Sequence, residues 1–453
     1  MKKHLFAFLL AVLFMLNTSF VWAINETGVD ALTVSQLPTD ELLEMLDETG
    51  ELGFDDATFY TCLVELSERT SELEDTTLKN AIANPDAPFD YRYGMLELYL
   101  KKHDFSITDT AFMTYLSSGL IDDGLKNLLL NCISAELLSI PATQTVLLNI
   151  YNGTNDETVA YRCLKTLAKA NIEIALPLCI SIYHNAENEM ASKINAAVDI
   201  MASVYGSNSR TAVAPAMPAL EDFLDRAREL YVDAESAEIR CSILDGLKAI
   251  PNEAASVAAE ELQALTPATY ASQAQGYAVY RDGVTSGGIE INWHGAIVAS
   301  GQGTSGTYAQ ATGVNHTTGT VSYSGFLGDG TFKGYYQPAS LTTYTNAQRE
   351  AVMATANTLS RLRIPYVALD CIKYSGIMLT QEHYNPIDIL AIRCDGFVEY
   401  CFERNGIRVC GPLHEDAWDI TLNDSYAQDC HNGVAAITPR SQAEDYMVLV
   451  NLW

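Results

Sequence analysis

Two side chains in the C-terminal part of this sequence have the types needed for covalent catalysis. Cys394 stands in Arg393-Cys394-Asp395-Gly396-Phe397-Val398-Glu399-Tyr400, and His294 in Asn292-Trp293-His294-Gly295-Ala296-Ile297-Val298. A cysteine attacks as its thiolate, and a neighbouring imidazole can take up and later return the proton. The apolar run 387–392 leads into Cys394, after which Phe397, Val398, Cys401 and Phe402 follow helical spacing. That spacing predicts a helix opening at the cysteine, where the positive end of the helix dipole favours thiolate. His294 opens an expected strand and can aim its ring at a helix terminus. Singly, a structural histidine and a buried thiol are the commoner occupants of such positions; the pairing is what points to chemistry. Cys401, seven residues on, lies roughly 10 Å further along the same face at 1.5 Å per residue. That is too far for a disulfide with Cys394, so it reads as core.

These residues sit in the second of two sequence regimes. From about 29 to 265 apolar residues recur at helical spacing, as in Leu42, Leu43 and Leu46, then Phe59, Leu63 and Leu66, then Val146, Leu147 and Ile150. Breakers such as Ile140-Pro141 and Ile250-Pro251-Asn252 separate the helices. The stretch from Tyr161-Arg162-Cys163 to Ala170 resembles that from Ile239-Arg240-Cys241 to Ala249, with the arginines 78 positions apart, about twice a HEAT-like helical pair. An α-solenoid follows as the expectation for 24–265, with an irregular bundle as the alternative; a solenoid offers an extended face to a protein partner. Residues 266–275 read as a linker.

Beyond it glycines crowd the chain, and short strands are expected at 289–293, 296–299, 407–409 and 446–450. Thr345-Asn346 looks like the start of a helix running to about Leu362, and Asn405-Gly406 like the stop of the helix that begins at Cys394. Grouped strands and helices make 276–453 an α+β region.

The first residues read as an export signal: Lys2 and Lys3, an apolar stretch to Leu16, and Val21-Trp22-Ala23 as a cleavage site. Residues 1–23 are therefore expected to be removed, with the mature chain secreted, periplasmic or in the cell envelope and without a membrane span. Lys and Arg total 27 against 57 Asp and Glu, a net −30; losing Lys2 and Lys3 leaves −32. Such a charge disfavours nucleic acid and anionic membrane surfaces. Of ten cysteines, Cys62, Cys132, Cys163, Cys179 and Cys241 fall inside helical patterns and read as core. Cys410 and Cys430 flank a loop-rich segment where pairing is feasible, with connectivity open. No cofactor or structural metal is implied, since no CxxC pair or His/Cys cluster has zinc spacing. His383, His414 and His431 read as loop residues.

The order Trp293-His294-Gly295-Ala296-Ile297-Val298, then Tyr308-Ala309-Gln310-Ala311-Thr312-Gly313, then Arg393 to Tyr400 resembles the circularly permuted, papain-like NlpC/P60 domains, including the YiiX-like and lecithin retinol acyltransferase-like branches. There the histidine strand precedes the cysteine helix, the reverse of ordinary papain-like enzymes. The resemblance covers about 276–453. It implies a papain-like fold in which Cys394 is the nucleophile, His294 the base and later acid, and Gln310 the group that orients the imidazole. Some permuted members carry an acid at that third position, and a glutamine supplies no charge to imidazolium; His316 competes for the role. Asp395 reads as a helix-start carboxylate. The implied reaction is hydrolysis of an amide bond in a peptide, above all a peptidoglycan stem peptide. Two other classes stay open: an inactive binding protein using the helical repeats, and a Cys-His acyltransferase or lipid hydrolase.

Overall fold

A computed structural model describes residues 34–206, 217–234, 236–265, 273–282, 293–311, 316–375, 385–409 and 438–452. The export signal, linker residues 266–272, the strand expected at 289–292, and His383, Cys410, His414, Cys430 and His431 lie outside the described residues. The protein is a mixture of helices and antiparallel sheet. It divides into two compact units. One takes the described residues of Met1–Lys102, Asp282–Trp293 and Asp329–Thr331, the other those of His103–Arg281, His294–Gly328 and Phe332–Trp453.

The first unit holds α1 (Thr39–Glu48), α2 (Ala57–Glu68), α3 (Asp75–Ala83) and α4 (Phe89–Lys102). Asp56 starts α2 by accepting the Thr58 and Phe59 N–H groups at 2.9 and 3.0 Å, which satisfies donors that a helix start leaves unpaired. The expected stripe Phe59, Leu63 and Leu66 is fully buried.

Among its described residues the second unit begins with ten α-helices: α5 (Ala111–Ser117), α6 (Asp123–Asn131), α7 (Ala135–Leu138), α8 (Pro141–Gly153), α9 (Glu157–Ala170), α10 (Ile172–His184), α11 (Ala191–Gly206), α12 (Leu220–Asp233), α13 (Ala237–Ala249) and α14 (Glu253–Leu265). Neighbours pack in sequence, α9 on α8 and α10, α11 on α9 and α13, α13 on α14. Asp156 and Ser236 cap the two helices of the repeated segment through Val159 N–H at 2.8 Å and Glu238 N–H at 3.2 Å. Gly246 lets α13 approach α11, because a Cβ there would stand 2.9 Å from Val198 Cγ1.

The sheet is formed by β1 (Ala278–Arg281), β2 (His294–Ser300), β3 (Thr307–Gln310), β4 (Gly319–Ser322), β5 (Phe332–Pro338) and β8 (Met447–Val450), in the order β4-β3-β2-β1-β5-β8. Every pairing is antiparallel. A short helix, α15 (Tyr323–Leu327), follows β4. Then come α16 (Asn346–Arg361), β6 (Ile372–Tyr374) paired with β7 (Ile389–Ile392), α17 (Cys394–Glu403) and the single turn α18 (Pro439–Ser441). Strand alternation sends Val279, Ala296, Val298 and Tyr308 into a cluster with Phe326 and Tyr335 on one face. On the other face α16 and α17 pack on β2 and β3. The expected helix at Thr345-Asn346 has a full capping box with Gln348, and α17 gives way to Gly406 at φ +70°. One expectation fails: 407–409 is not a strand. Ile407 N–H instead bonds the Phe402 carbonyl at 3.1 Å, so the segment folds back on the end of α17.

A buried polar seam joins the helical array to the sheet region inside this unit. Arg162, fully buried on α9, donates to Asn127 Oδ1 at 3.0 Å and to the Leu362 and Arg363 carbonyls at 3.1 and 2.7 Å. Arg361 pairs with Asp199 of α11 at 2.8 Å and Asp245 of α13 at 3.2 Å. Asn131 reaches the Leu390 carbonyl at 2.5 Å. The composition change at 266–275 thus parts two secondary-structure regimes, whereas the compact units part after Lys102.

Candidate functional site

Cys394 is the first residue of α17, with Arg393 as its extended N-cap. The start of this helix is fixed from several sides. Arg393 N–H bonds the Cys371 carbonyl at 2.8 Å. Its guanidinium grips Asp395 through Nε–Oδ1 at 2.7 Å and Nη2–Oδ2 at 2.8 Å, and Nη1 donates to Ala368 O at 3.2 Å. A bidentate, charge-assisted fork of this kind holds geometry as well as energy. From the β1 side, Tyr280 Oη donates to Gln442 Oε1 at 2.8 Å, and Gln442 Nε2 donates to the Asp395 carbonyl at 3.0 Å. Gly396 is required because a Cβ there would overlap the Cys371 carbonyl.

The strand that meets Cys394 is β2. The Gly295 N–H donates to the Cys394 sulfur, and Gly295 itself is wedged so that a Cβ would lie 3.1 Å from Tyr280 Cε1 and 3.2 Å from Val398 Cγ2. His294, one residue earlier, opens β2 opposite Arg281 of β1. Its Nε2 bonds Gln310 Oε1 at 2.8 Å, from the last residue of β3. Accepting that proton, Gln310 sets the tautomer with the lone pair on Nδ1. The ring lies 5.8 Å from Phe326, so alternation places His294 and Gln310 with Tyr308 and Phe326, while Gly295 faces α17.

Gln310 thus holds the His294 ring on the face of β2 that carries Tyr308 and Phe326, while Cys394 meets the backbone of the same strand at Gly295, whose own side faces α17. Gln310, and not His316, holds the imidazole; His316 sits at φ +52° and gives its carbonyl to Tyr366 N–H at 2.7 Å. Cys401 is fully buried core, as its spacing suggested, and Asp395 is the first-turn carboxylate of α17, as expected, buried and paired with Arg393.

The electrostatics depart from the sequence expectation of a resting thiolate. Cys394 is 4% exposed, His294 7% and Gln310 3%. Burial, aided by the Asp395 charge, pushes the thiol up to about 12, against opposing help from Gly295 N–H and Arg393. Burial and the nearby Arg281 pull the imidazole down to about 3. Both groups are neutral at rest, because desolvation outweighs the partial charge of one helix start.

Sequence reasoning missed the supports: Tyr280, Gln442 and the Arg393–Asp395 fork. The alternation of charge in Arg393-Cys394-Asp395 was the available signal for the fork; nothing local links Tyr280 to Gln442, 162 positions away. Among the described residues no helix is long and apolar enough to cross a membrane, and no group of three His, Cys, Asp or Glu could hold a metal ion. Compared with known proteins, the chain matches no family model, no curated protein and no solved structure.

Proposed function

We propose that the protein is an exported cysteine hydrolase of the permuted NlpC/P60-like kind that cleaves an amide bond, with peptidoglycan stem peptides as its substrate class. The observation that carries this reading is the meeting of a helix-start cysteine with the histidine strand through the Gly295 N–H, one residue along the chain from an imidazole whose Nε2 Gln310 holds. In this reading water or substrate reaching the pair reverses the desolvation that keeps it neutral. His294 then accepts the thiol proton, the Cys394 sulfur attacks the amide carbonyl, and the amine leaves with the proton returned by His294. Water, deprotonated by the same imidazole, hydrolyses the thioester. The N–H groups at the start of α17 are the candidate oxyanion donors. The helical array, read as HEAT-like, positions the enzyme on a protein or on the wall.

The test is iodoacetamide labelling of Cys394, mapped by peptide mass spectrometry at neutral and mildly acidic pH, on the mature chain and on His294→Ala. Labelling that is fast, persists in mild acid and collapses without His294 supports an activated pair, with muropeptide cleavage lost in Cys394→Ser as the confirming assay. Labelling that is slow and indifferent to His294 removes the enzyme reading. The second reading, a binding protein built on the helical array, is favoured by one observation: the near-complete burial of a neutral thiol and neutral imidazole.

A further inference from the structure

A closed circuit of contacts joins β1, β2, α17 and the turn after α18 around the Cys394 sulfur. The Gly295 N–H on β2 donates to the sulfur. Gly295 lies opposite Tyr280 in the register of β1 and β2, so close that a Cβ on it would stand 3.1 Å from Tyr280 Cε1. The Tyr280 hydroxyl donates to Gln442 Oε1 at 2.8 Å. Gln442 Nε2 in turn donates at 3.0 Å to the carbonyl of Asp395, the residue that follows Cys394. Tyr280, Gln442 and Asp395 are all fully buried.

Each member suits its place. A glutamine accepts and donates through one flat amide, so it can take the phenol proton on one side and give an N–H to the helix on the other. Burial, with the Asp395 charge next, holds the Tyr280 phenol well above its ordinary range. The hydroxyl is therefore a donor, and the Gln442 amide has one orientation, Oε1 to Tyr280 and Nε2 to Asp395. Gln442 opens a π turn, Gln442–Tyr446, an irregular turn that recurs at functional sites. The Arg393–Asp395 fork and the Cys371 carbonyl also hold the start of α17, but they tie it to residues 368–371. Tyr280 ties it to the strand that supplies the sulfur's donor: its ring bears on Gly295, and its hydroxyl, through Gln442, holds the turn that begins at Cys394.

We propose that Tyr280 and Gln442 are positioning residues for Cys394, which together set the spacing between α17 and β2 at which the sulfur receives the Gly295 N–H. That N–H favours the thiolate against the burial that opposes it, so a change of spacing alters the chemistry of the sulfur. The catalytic meaning of the circuit rests on Cys394 being the nucleophile; the circuit itself does not. Muropeptide cleavage tests the first and the Gly295 amide tests the second, so either can fail alone.

Histidine precedes glycine at a single place in the chain, His294-Gly295. The full chain labelled with carbonyl-13C histidine and 15N glycine therefore gives one carbonyl-correlated amide signal by NMR. Cys394→Ala is expected to shift that signal, as the sulfur is its acceptor. Tyr280→Phe removes one hydroxyl, and Gln442→Met keeps the length without the amide. Both are expected to move the amide proton upfield and to speed its exchange with solvent about fivefold or more, the weight of one ordinary hydrogen bond. Gln442→Glu is expected to keep the parent signal, because a buried carboxyl stays neutral and offers one donor and one acceptor in the same places. Circular dichroism checks each fold, and Tyr280→Phe carries the test if Gln442→Met does not fold. An amide unmoved in Tyr280→Phe or in Cys394→Ala, or moved as far by Gln442→Glu as by Gln442→Met, overturns the proposal.

Discussion

Helices α9 and α13 arise from two versions of one sequence segment and do different work. Both carry an Arg-Cys pair near the start and a lysine near the end, and both are capped by a side chain just before them. On α9 the arginine is fully buried and ties two carbonyls and two asparagines together. On α13 Arg240 bonds the Ala234 carbonyl at 2.6 Å near its own helix start. Local pattern dictates the helix in each case. What the charged residue does is dictated by the surface it meets: the carbonyls after α16 for Arg162, the Ala234 carbonyl before its own helix for Arg240. A repeat therefore predicts architecture and says little about chemistry.

That contrast can be broken by mutation. The largest effect is expected at the seam itself. Arg361→Met leaves Asp199 buried without its cation and should cost roughly 3–5 kcal/mol in chemical denaturation; a loss below about 1 kcal/mol would mean that the seam is not formed. Arg162→Met should cost on the order of 2–4 kcal/mol, from several buried acceptors left unmet, whereas the same change at Arg240 should cost under about 1 kcal/mol. Equal losses at the two arginines would erase the distinction between the copies. Gly396→Ala comes next, since the added methyl must displace the Cys371 carbonyl. About 1–3 kcal/mol of destabilisation is expected, together with a change in Cys394 labelling.

The pH dependence sharpens the second contrast, between the charged seam and the neutral cysteine site. His294 is held down near 3 against about 6.5 when unfolded, so between those values the unfolded chain binds the extra proton. Its contribution to stability is present above about pH 6.5 and is lost as pH falls toward 3. Cys394 is held up near 12 against about 8.5; its contribution is present below about pH 8.5 and is lost as pH rises toward 12. Denaturation midpoints of the parent and of His294→Phe and Cys394→Ala, followed across pH, should show the acid limb flatten in the first variant and the alkaline limb flatten in the second. The smallest effect is expected for Gln310→Glu, which puts a carboxylate on Nε2 and should raise the imidazole titration; an unchanged histidine titration by NMR would mean that the hydrogen bond is not maintained in solution.

Much of this was legible beforehand, and the limits have physical causes. The opening of α17 at Cys394, the capping of α16 at Thr345 and the burial of the Phe59, Leu63 and Leu66 stripe all follow from local spacing, which one helical turn decides. The strand expected at 407–409 failed because Ile407 returns to Phe402, a tertiary choice that overrides β propensity. The thiolate expectation failed for a similar reason. A helix start can be read from sequence, but the removal of water from Cys394 depends on Tyr280, Gly295 and the loop at Cys371, which come from distant parts of the chain. The seam residues Asp199 and Arg361 are invisible for the same reason, each being an ordinary charged residue on its own helix.

The seam also has a consequence for how the chain is made. Arg162 and Asp199 meet their partners across 201 and 162 positions of sequence. During synthesis from the N-terminus, α9 and α11 are complete long before residues 361–363 emerge. For that interval a guanidinium and a carboxylate destined for the interior must remain hydrated on a half-built surface, and loop closure of this span is slow. The late arrival of α16 is therefore the expected rate-limiting step of refolding, and a nascent chain stalled before it would present a sticky, solvent-facing flank along α9, α11 and α13, the kind of surface that a chaperone holds.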